Sequence, residues 1–331
     1  MENQLVDGFS RIARKLRISV TDRCNMRCVY CMPENNTEWF EQSNVLTYEE
    51  IVRLARIFVG LGIEKIRVTG GEPTVRREIA KLIGMLSRIE GLKKISMTTN
   101  GLLLYMMVKQ LKEAGLGSVN ISLDTFKPHR FKHMGGVDGL DKVLRSINAA
   151  DAAGMKVKIN TVVMRGWNDD EVVDFAEFAR DSGYTVRFIE FMPLDGTGIW
   201  APNLVVSKRE MIERISKNVK ELVPLHNDPS EPAMLYSFVD GKGTVGFIPS
   251  MTEPFCGSCD RIRITSDGRF LGCLFENPGF DLKGLLRGGK SDDEIAKYIL
   301  ECLKKKPEGV IAIIRANALR PTMNKMFTIG G

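Results

Sequence analysis

Three cysteines stand within eight residues, in the segment Leu16-Arg17-Ile18-Ser19-Val20-Thr21-Asp22-Arg23-Cys24-Asn25-Met26-Arg27-Cys28-Val29-Tyr30-Cys31. The spacing C-x3-C-x2-C puts three soft thiolates on one loop, where they can wrap one metal centre. Structural zinc and ordinary iron–sulfur clusters take four such ligands. Three leave a position open, as a catalytic metal requires; a zinc knuckle borrowing a fourth ligand from elsewhere is the alternative. A second set, Cys256, Cys259 and Cys273, follows with spacing C-x2-C-x13-C. Such a pair is common in zinc sites, and a second [4Fe–4S] cluster with an open iron is the favoured reading. Arg261 and Arg263 alternate along what reads as a strand, so both project to one face. Two guanidinium forks beside a metal centre would clamp a phosphate-bearing substrate; two exposed surface arginines are the plainer alternative. The seventh cysteine, Cys302, falls in a helix-like stretch (294–304) and reads as a buried structural thiol.

The elements that must position these residues alternate. Candidate strands run over 16–21, 65–69, 95–99, 118–123, 157–163 and 185–190. Amphipathic segments lie near 47–61, 77–89, 105–114, 140–153 and 171–182, the first opened by a capping box at Thr47-Tyr48-Glu49-Glu50. Six βα-like units argue for an α/β fold of parallel strands with helical crossovers. Six strands suit a partial barrel better than a closed one of eight, with a doubly wound sheet open on pattern alone. Chemistry in such folds collects at the carboxyl ends of strands. The cysteine loop follows strand one, Thr69-Gly70-Gly71-Glu72-Pro73 follows strand two, and Met97-Thr98-Thr99-Asn100-Gly101 ends strand three. Polar groups also mark strand four (Asn120 to Thr125), strand five (Lys158, Asn160) and strand six (Arg187 to Pro193).

The chain has 331 residues, 44% hydrophobic and 27% charged, and a net charge of +6. That length suits a large domain plus a smaller one. The mild positive charge suits a small anionic substrate and is too weak to argue for nucleic acid. No apolar run approaches the ~18 residues of a membrane span, and no signal peptide opens the chain, so a cytoplasmic protein with no membrane partner is expected. Seven cysteines in a reducing compartment point to metal or redox chemistry. The three histidines, His129, His133 and His226, flank no recognisable nucleophile, which weakens a hydrolase reading. Gly284-Leu285-Leu286-Arg287-Gly288-Gly289-Lys290-Ser291 matches a phosphate-loop pattern, but its mechanism needs a preceding buried strand. It reads instead as a helix ending at Gly288-Gly289 and another capped near Ser291.

The first cysteine motif and the GGEP sequence resemble the radical S-adenosylmethionine (SAM) superfamily. In that superfamily the open iron binds SAM, and an electron from the cluster cleaves it to methionine and a 5′-deoxyadenosyl radical. The second cysteine set, the Leu-Phe that follows Cys273 and the terminal Gly330-Gly331 resemble, more narrowly, the GTP 3′,8-cyclases of molybdenum cofactor biosynthesis, from about Phe9 to the last residue. Ser10, Ala13-Arg14 and Asp260 depart from that family's usual residues without removing a cluster ligand. The resemblance implies a partial (βα)6 barrel over 1–235 and a smaller iron–sulfur domain over 236–331 closing the barrel mouth. It implies two [4Fe–4S] clusters and SAM, the latter contacted by Tyr30, Gly71, Ser122 and Met192. It further implies GTP held by Arg17, Arg67, Thr98, Lys158, Arg261 and Arg263, with Arg17, the arginine pair and the Gly330-Gly331 tail in the active site. An external electron donor and cyclic pyranopterin monophosphate synthase, which takes the product, are the implied partners, with a homodimer allowed. A peptide-modifying maturase would carry more C-terminal cysteines and leave the arginine pair unexplained. A zinc-ribbon nucleic-acid binder would be colourless and bind RNA with steep salt dependence.

Overall fold

The computed structural model of the chain describes residues 4–32, 38–194, 198–226, 228–276, 278–315 and 326–330. Six strands run in parallel, each paired to the next: β1 (Lys15–Ser19), β2 (Lys65–Thr69), β3 (Lys94–Thr99), β4 (Ser118–Ser122), β5 (Lys156–Val163) and β6 (Thr185–Glu190). Between them lie α1 (Tyr48–Gly60), α2 (Ile79–Leu86), α3 (Leu104–Glu113), α4 (Pro128–Gly135), α5 (Leu140–Ala152) and α6 (Val172–Ser182). Thr47 caps α1 as expected: its hydroxyl accepts from Glu50 N at 3.1 Å while Glu50 Oε2 accepts from Thr47 N at 2.7 Å. Helix α4 escapes a periodicity reading because Phe131 and Met134 are its only large buried side chains.

The C-terminal part adds to the same sheet. After α7 (Lys208–Asn218) come β7 (Leu222–Pro224), β8 (Met234–Phe238) and β9 (Thr244–Ile248), the last pairing in parallel with β6. Then β10 (Arg261–Ile264) pairs in parallel with β1, followed by β11 (Arg269–Leu271) and β12 (Phe280–Asp281). The order is β12-β11-β10-β1-β2-β3-β4-β5-β6-β9-β8-β7, with eight parallel strands in its middle. The six expected βα units are therefore flanked on both edges by strands from the later sequence. Position 235/236 falls inside β8, so one sheet crosses it. Helices α8 (Leu282–Arg287), α9 (Asp292–Leu303), α10 (Val310–Arg315) and α11 (Met326–Ile329) complete the described chain. Gly288 and Gly289 end α8, and Ser291 caps α9 with a capping box, so the phosphate-loop match is a helix–turn–helix joint.

The strands alternate with period two. Leu16, Ile18, Ile66, Val68, Met97, Val119, Ile121, Ile159, Phe188, Ile262 and Ile264 are buried in one core with helix residues such as Leu54, Phe58, Leu82, Leu111, Ile147 and Phe175. Each such side chain contributes about 1.5–3 kcal/mol when fully buried. Cys302 is part of that core and is 3% exposed, as expected of a structural thiol. The intervening positions are polar and cationic. Residues of β1 to β6 and β10 line one cavity. Seven strands spaced about 4.8 Å apart could not do this flat, so the sheet curls around it.

Candidate active site

The cavity has a volume of about 280 Å3. Its walls carry Lys15, Arg17, Lys65, Arg67, Lys94, Lys156, Lys158, Arg187 and Arg261, with one carboxylate, Glu231. The register places Arg263, Arg17, Arg67, Ser96, Ser118 and Lys156 side by side on successive strands. Three guanidiniums on adjacent strands repel one another, a cost that a bound polyanion would offset. Burial, then Arg187, pushes Arg67 down to about 9. Burial alone brings Arg187 down to about 10. Burial, then Arg187, lowers Lys158 to about 8. Arg187 Nε and Arg261 Nη2 are buried without a hydrogen-bond partner among the described residues. These are donors left for an anion.

The cavity opens at the amino ends of the strands: Lys15, Lys65, Lys94 and Lys156 are each the first residue of theirs. The first cysteine set lies at the other end, beyond the last residue of β1. The glycines of the GGEP segment hold it there. A Cβ on Gly71 would meet Arg23 O at 2.4 Å and Asp22 O at 2.6 Å. That close approach lets Gly71 N donate to Thr21 O (2.7 Å) and Glu72 N to Arg23 O (2.8 Å). Glu72 is buried and accepts from Thr74 N, Thr74 Oγ1, Thr99 Oγ1 and Asn100 N, joining the loops after β2 and β3. From α4, Gly135 O and Met134 O accept from Arg27 N and Val29 N. Tyr30 donates to Asp124 Oδ2 at 2.6 Å, beyond the end of β4.

The second set sits at the amino end. Cys259 lies two residues before β10, which enters the sheet in the same direction as β1. The expectation that all the chemistry gathers at carboxyl ends is thus corrected: β10 carries its cysteine turn to the opposite mouth. A buried network fixes that turn. Arg11 Nη1 donates to Cys256 O (2.8 Å) and Glu308 O (2.5 Å), and Nη2 to Pro307 O (2.8 Å), while Nε pairs with Asp7 at 2.6 Å. Lys306 Nζ donates to Cys259 O (3.1 Å) and sits 3.5 Å from Asp7. Glu276 accepts from Gly272 N and Cys273 N.

Within each set the thiols feel one another's charge. Burial, then Cys31, holds Cys28 well above its ordinary value, and burial, then Cys24, pushes Cys31 up to about 12. Burial, then backbone donation and the charges of Cys259 and Cys256, leaves Cys273 at about 11. No three His, Cys, Asp or Glu among the described residues converge tightly enough for a single ion. A four-iron cubane, with sulfur ligands on separate corners, needs a wider spacing than one ion with bonds of about 2.3 Å. Met26 N and Asn100 Nδ2 point at Cys24 Sγ (3.4 and 3.8 Å), as donors to a thiolate would.

The tail enters the carboxyl end. A Cβ on Gly330 would meet the Thr69 side chain at 2.2 Å, its φ is +74°, and its carbonyl accepts from Arg263 Nη1. Gly331 lies outside the described residues.

A family profile described as the Radical SAM superfamily matches residues 18–179, and one described as Molybdenum Cofactor Synthesis C matches 184–311. The chain is 44% identical over 327 residues to the GTP 3′,8-cyclase of Thermodesulfovibrio yellowstonii, covering 98% of this chain and 99% of that protein. This chain belongs to the GTP 3′,8-cyclase family of radical SAM enzymes. It is also 42% identical to the mitochondrial GTP 3′,8-cyclase of Arabidopsis thaliana, over 100% of this chain and 84% of that one. To Molybdenum cofactor biosynthesis protein 1 of Homo sapiens it is 43% identical, over 91% of this chain and 48% of the relative. The crystal structure of Streptococcus suis SuiB bound to S-adenosylmethionine superposes with a TM-score of 0.62 at 16% identity, over 92% of this chain and 75% of SuiB, a likeness of fold. Radical SAM membership implies one [4Fe–4S] cluster and SAM. No helix among the described residues is long and apolar enough to cross a membrane.

Of the residues expected to bind GTP in a GTP 3′,8-cyclase, Arg17, Arg67, Lys158 and Arg261 share the cavity. Arg263 sits beside Arg17 but turns to the tail, and Thr98 meets Asn120 Nδ2 at 3.5 Å outside the lining. Tyr30, Gly71, Ser122 and Met192 all lie at or beyond the carboxyl ends of strands. The sequence reading missed Lys15, Lys65, Lys94 and Lys156, and took Arg187 only as part of strand six's polar end. A signal existed: Lys15-Leu16-Arg17, Lys65-Ile66-Arg67, Lys156-Val157-Lys158 and Arg261-Ile262-Arg263 repeat basic-x-basic in four strands.

Proposed function

We propose that this chain, a radical SAM GTP 3′,8-cyclase, binds the triphosphate of GTP in the cationic cavity between its two cysteine sets, for conversion to (8S)-3′,8-cyclo-7,8-dihydroguanosine 5′-triphosphate. The decisive support is the convergence of Arg17, Arg67, Lys158, Arg187 and Arg261 on one cavity with a single carboxylate, inside a barrel with three thiols beyond each end. Cys24, Cys28 and Cys31 would hold a [4Fe–4S] cluster, which with SAM would supply the radical chemistry for joining C3′ of the ribose to C8 of the base. Cys256, Cys259 and Cys273 would hold a second cluster, which would supply a metal site for the base at the opposite end of the cavity. Arg17, Arg67, Lys158 and Arg261 neutralise and align the phosphates, fixing the ribose between the two ends. Tyr30, Gly71, Ser122 and Met192 border the SAM side. Arg263 seats Gly330 against Thr69, where the tail excludes water from the reacting centre. An external reductant delivers the electron, and cyclic pyranopterin monophosphate synthase receives the product.

Anaerobic reconstitution followed by SAM, GTP and reductant should yield 5′-deoxyadenosine together with a cyclised nucleotide. 5′-Deoxyadenosine without any GTP-derived product would overturn the substrate assignment. Deleting Gly330 and Gly331 should abolish cyclisation while SAM cleavage survives; unchanged product yield would remove the tail from the site.

A further inference from the structure

The cavity walls bear nine basic side chains and one carboxylate, Glu231. Glu231 belongs to the irregular segment between β7 and β8, at the amino-end mouth. Lys15 Nζ donates to Glu231 Oε1 at 2.8 Å and to Ser230 Oγ at 3.0 Å. Arg261 Nη1 donates to Ser230 O at 2.7 Å, so the same segment engages two of the cavity's cations. Ser258 Oγ donates to Pro229 O at 2.6 Å, tying the segment to the second cysteine turn. Asp260, 3.1 Å from the same Lys15 ammonium, is not part of the cavity lining.

A carboxylate among cations lowers their mutual repulsion while the cavity holds no substrate. It does the opposite once a polyphosphate enters, because it repels each phosphate that approaches the same cations. We propose that Glu231 is a resident counter-anion that holds the cation cluster together without substrate and limits how tightly the site takes a polyphosphate; this rests on the cavity being the GTP site. The cyclised product keeps its three phosphates, so a weaker grip acts on substrate and product alike and speeds release rather than chemistry. Glu231 is in this sense a specificity residue for phosphate number, not a catalytic group.

The test compares GTP, GDP and GMP binding by calorimetry to the anaerobically reconstituted full chain at fixed ionic strength. Glu231→Gln should bind GTP about tenfold more tightly and GDP by an intermediate factor, with GMP changing by less than about twofold. In turnover, KM for GTP should fall with no rise in kcat. A GTP gain under about threefold, or an equal gain for GMP, overturns the proposal. Glu231→Asp keeps the charge and should bind GTP as the parent does. Melting separates the electrostatic role from a merely structural one: Glu231→Gln should show an unchanged or lower ligand-free Tm but a larger GTP-induced rise. A smaller rise counts against the proposal. Arg67→Ala is the control for the site itself: if it binds GTP as tightly as the parent, the cavity is not the nucleotide site, whatever Glu231 does.

Discussion

The two cysteine sets sit at opposite ends of one barrel and are held by different physics. About 16 Å of strand separates the ends, at ~3.3 Å per residue for the five residues of β1. The first set is fixed by backbone: glycines let two loops touch, and Glu72 ties in a third. Around it Glu72 and Asp124 set carboxylates against a single guanidinium, Arg27, whose Nη1 donates to Cys24 O at 2.9 Å. Burial, then Glu72, pushes Cys24 up to about 11, and burial, then Cys31 and Asp124, raises Cys28. The second set is fixed by long side chains reaching across the sequence, Arg11 to Cys256 and Lys306 to Cys259. Burial would raise Cys259, but Arg261 and Lys306 bring it below its ordinary value. Carboxylates thus outnumber cations at the first set, while Arg261 and Lys306 dominate at Cys259 of the second.

The largest test of that contrast removes each set in turn. Replacing Cys24, Cys28 and Cys31 by Ala should drop iron from about eight to about four per chain and abolish 5′-deoxyadenosine formation. Replacing Cys256, Cys259 and Cys273 should give the same iron loss but leave SAM cleavage and abolish cyclisation. If both triple variants lose SAM cleavage, the division of labour is wrong.

Arg11→Ala should cost roughly 2–4 kcal/mol in denaturant unfolding, because it leaves Lys306 as the sole side-chain counter-charge of the buried Asp7 and removes the donors of three carbonyls. Iron should be lost at the second set and kept at the first. Arg11→Lys should restore only part, since an ammonium cannot serve the same fork. Gly71→Ala should act in mirror image. Its Cβ collides with backbone that cannot yield without moving the first cysteine loop, so about 1–3 kcal/mol is lost and SAM affinity falls while GTP affinity holds.

The smallest effect concerns the space between the cages. Lys158 sits near 8, its charge depressed first by burial and then by Arg187. It is protonated below that value and increasingly neutral above it. GTP affinity should therefore weaken roughly tenfold between pH 7.5 and 9.5, with a proton taken up on binding. Lys158→Arg should flatten that profile around pH 8, leaving the slope near 9 to Arg67; a flat profile in the parent chain would mean Lys158 carries none of the phosphate binding.

Legibility in the sequence followed range. The six strands could be placed almost to the residue, because each outward face is β-branched or aliphatic and each turn is marked. The first cysteine loop and the GGEP segment were readable together, since adjacent βα units bring them into contact. The second cage was readable only as spacing. Its end of the barrel depends on β10 choosing the free edge of β1, a pairing some 245 residues apart that no local pattern encodes. The lysines at the strand starts were passed over for a similar reason. A lysine opening a strand looks like a solvated end until the sheet curls and the ends form a ring.

That edge pairing has a consequence during synthesis. β1 is made early, yet one side of its hydrogen-bonding ladder stays bare until Arg261–Ile264 has left the ribosome. For most of translation the nascent chain carries an open parallel edge beside the bare thiols of Cys24, Cys28 and Cys31, a template for misjoining with a neighbour. Fragments that stop short of β10 should accordingly collect in aggregates, and slowed elongation late in the message should lower the yield of native protein.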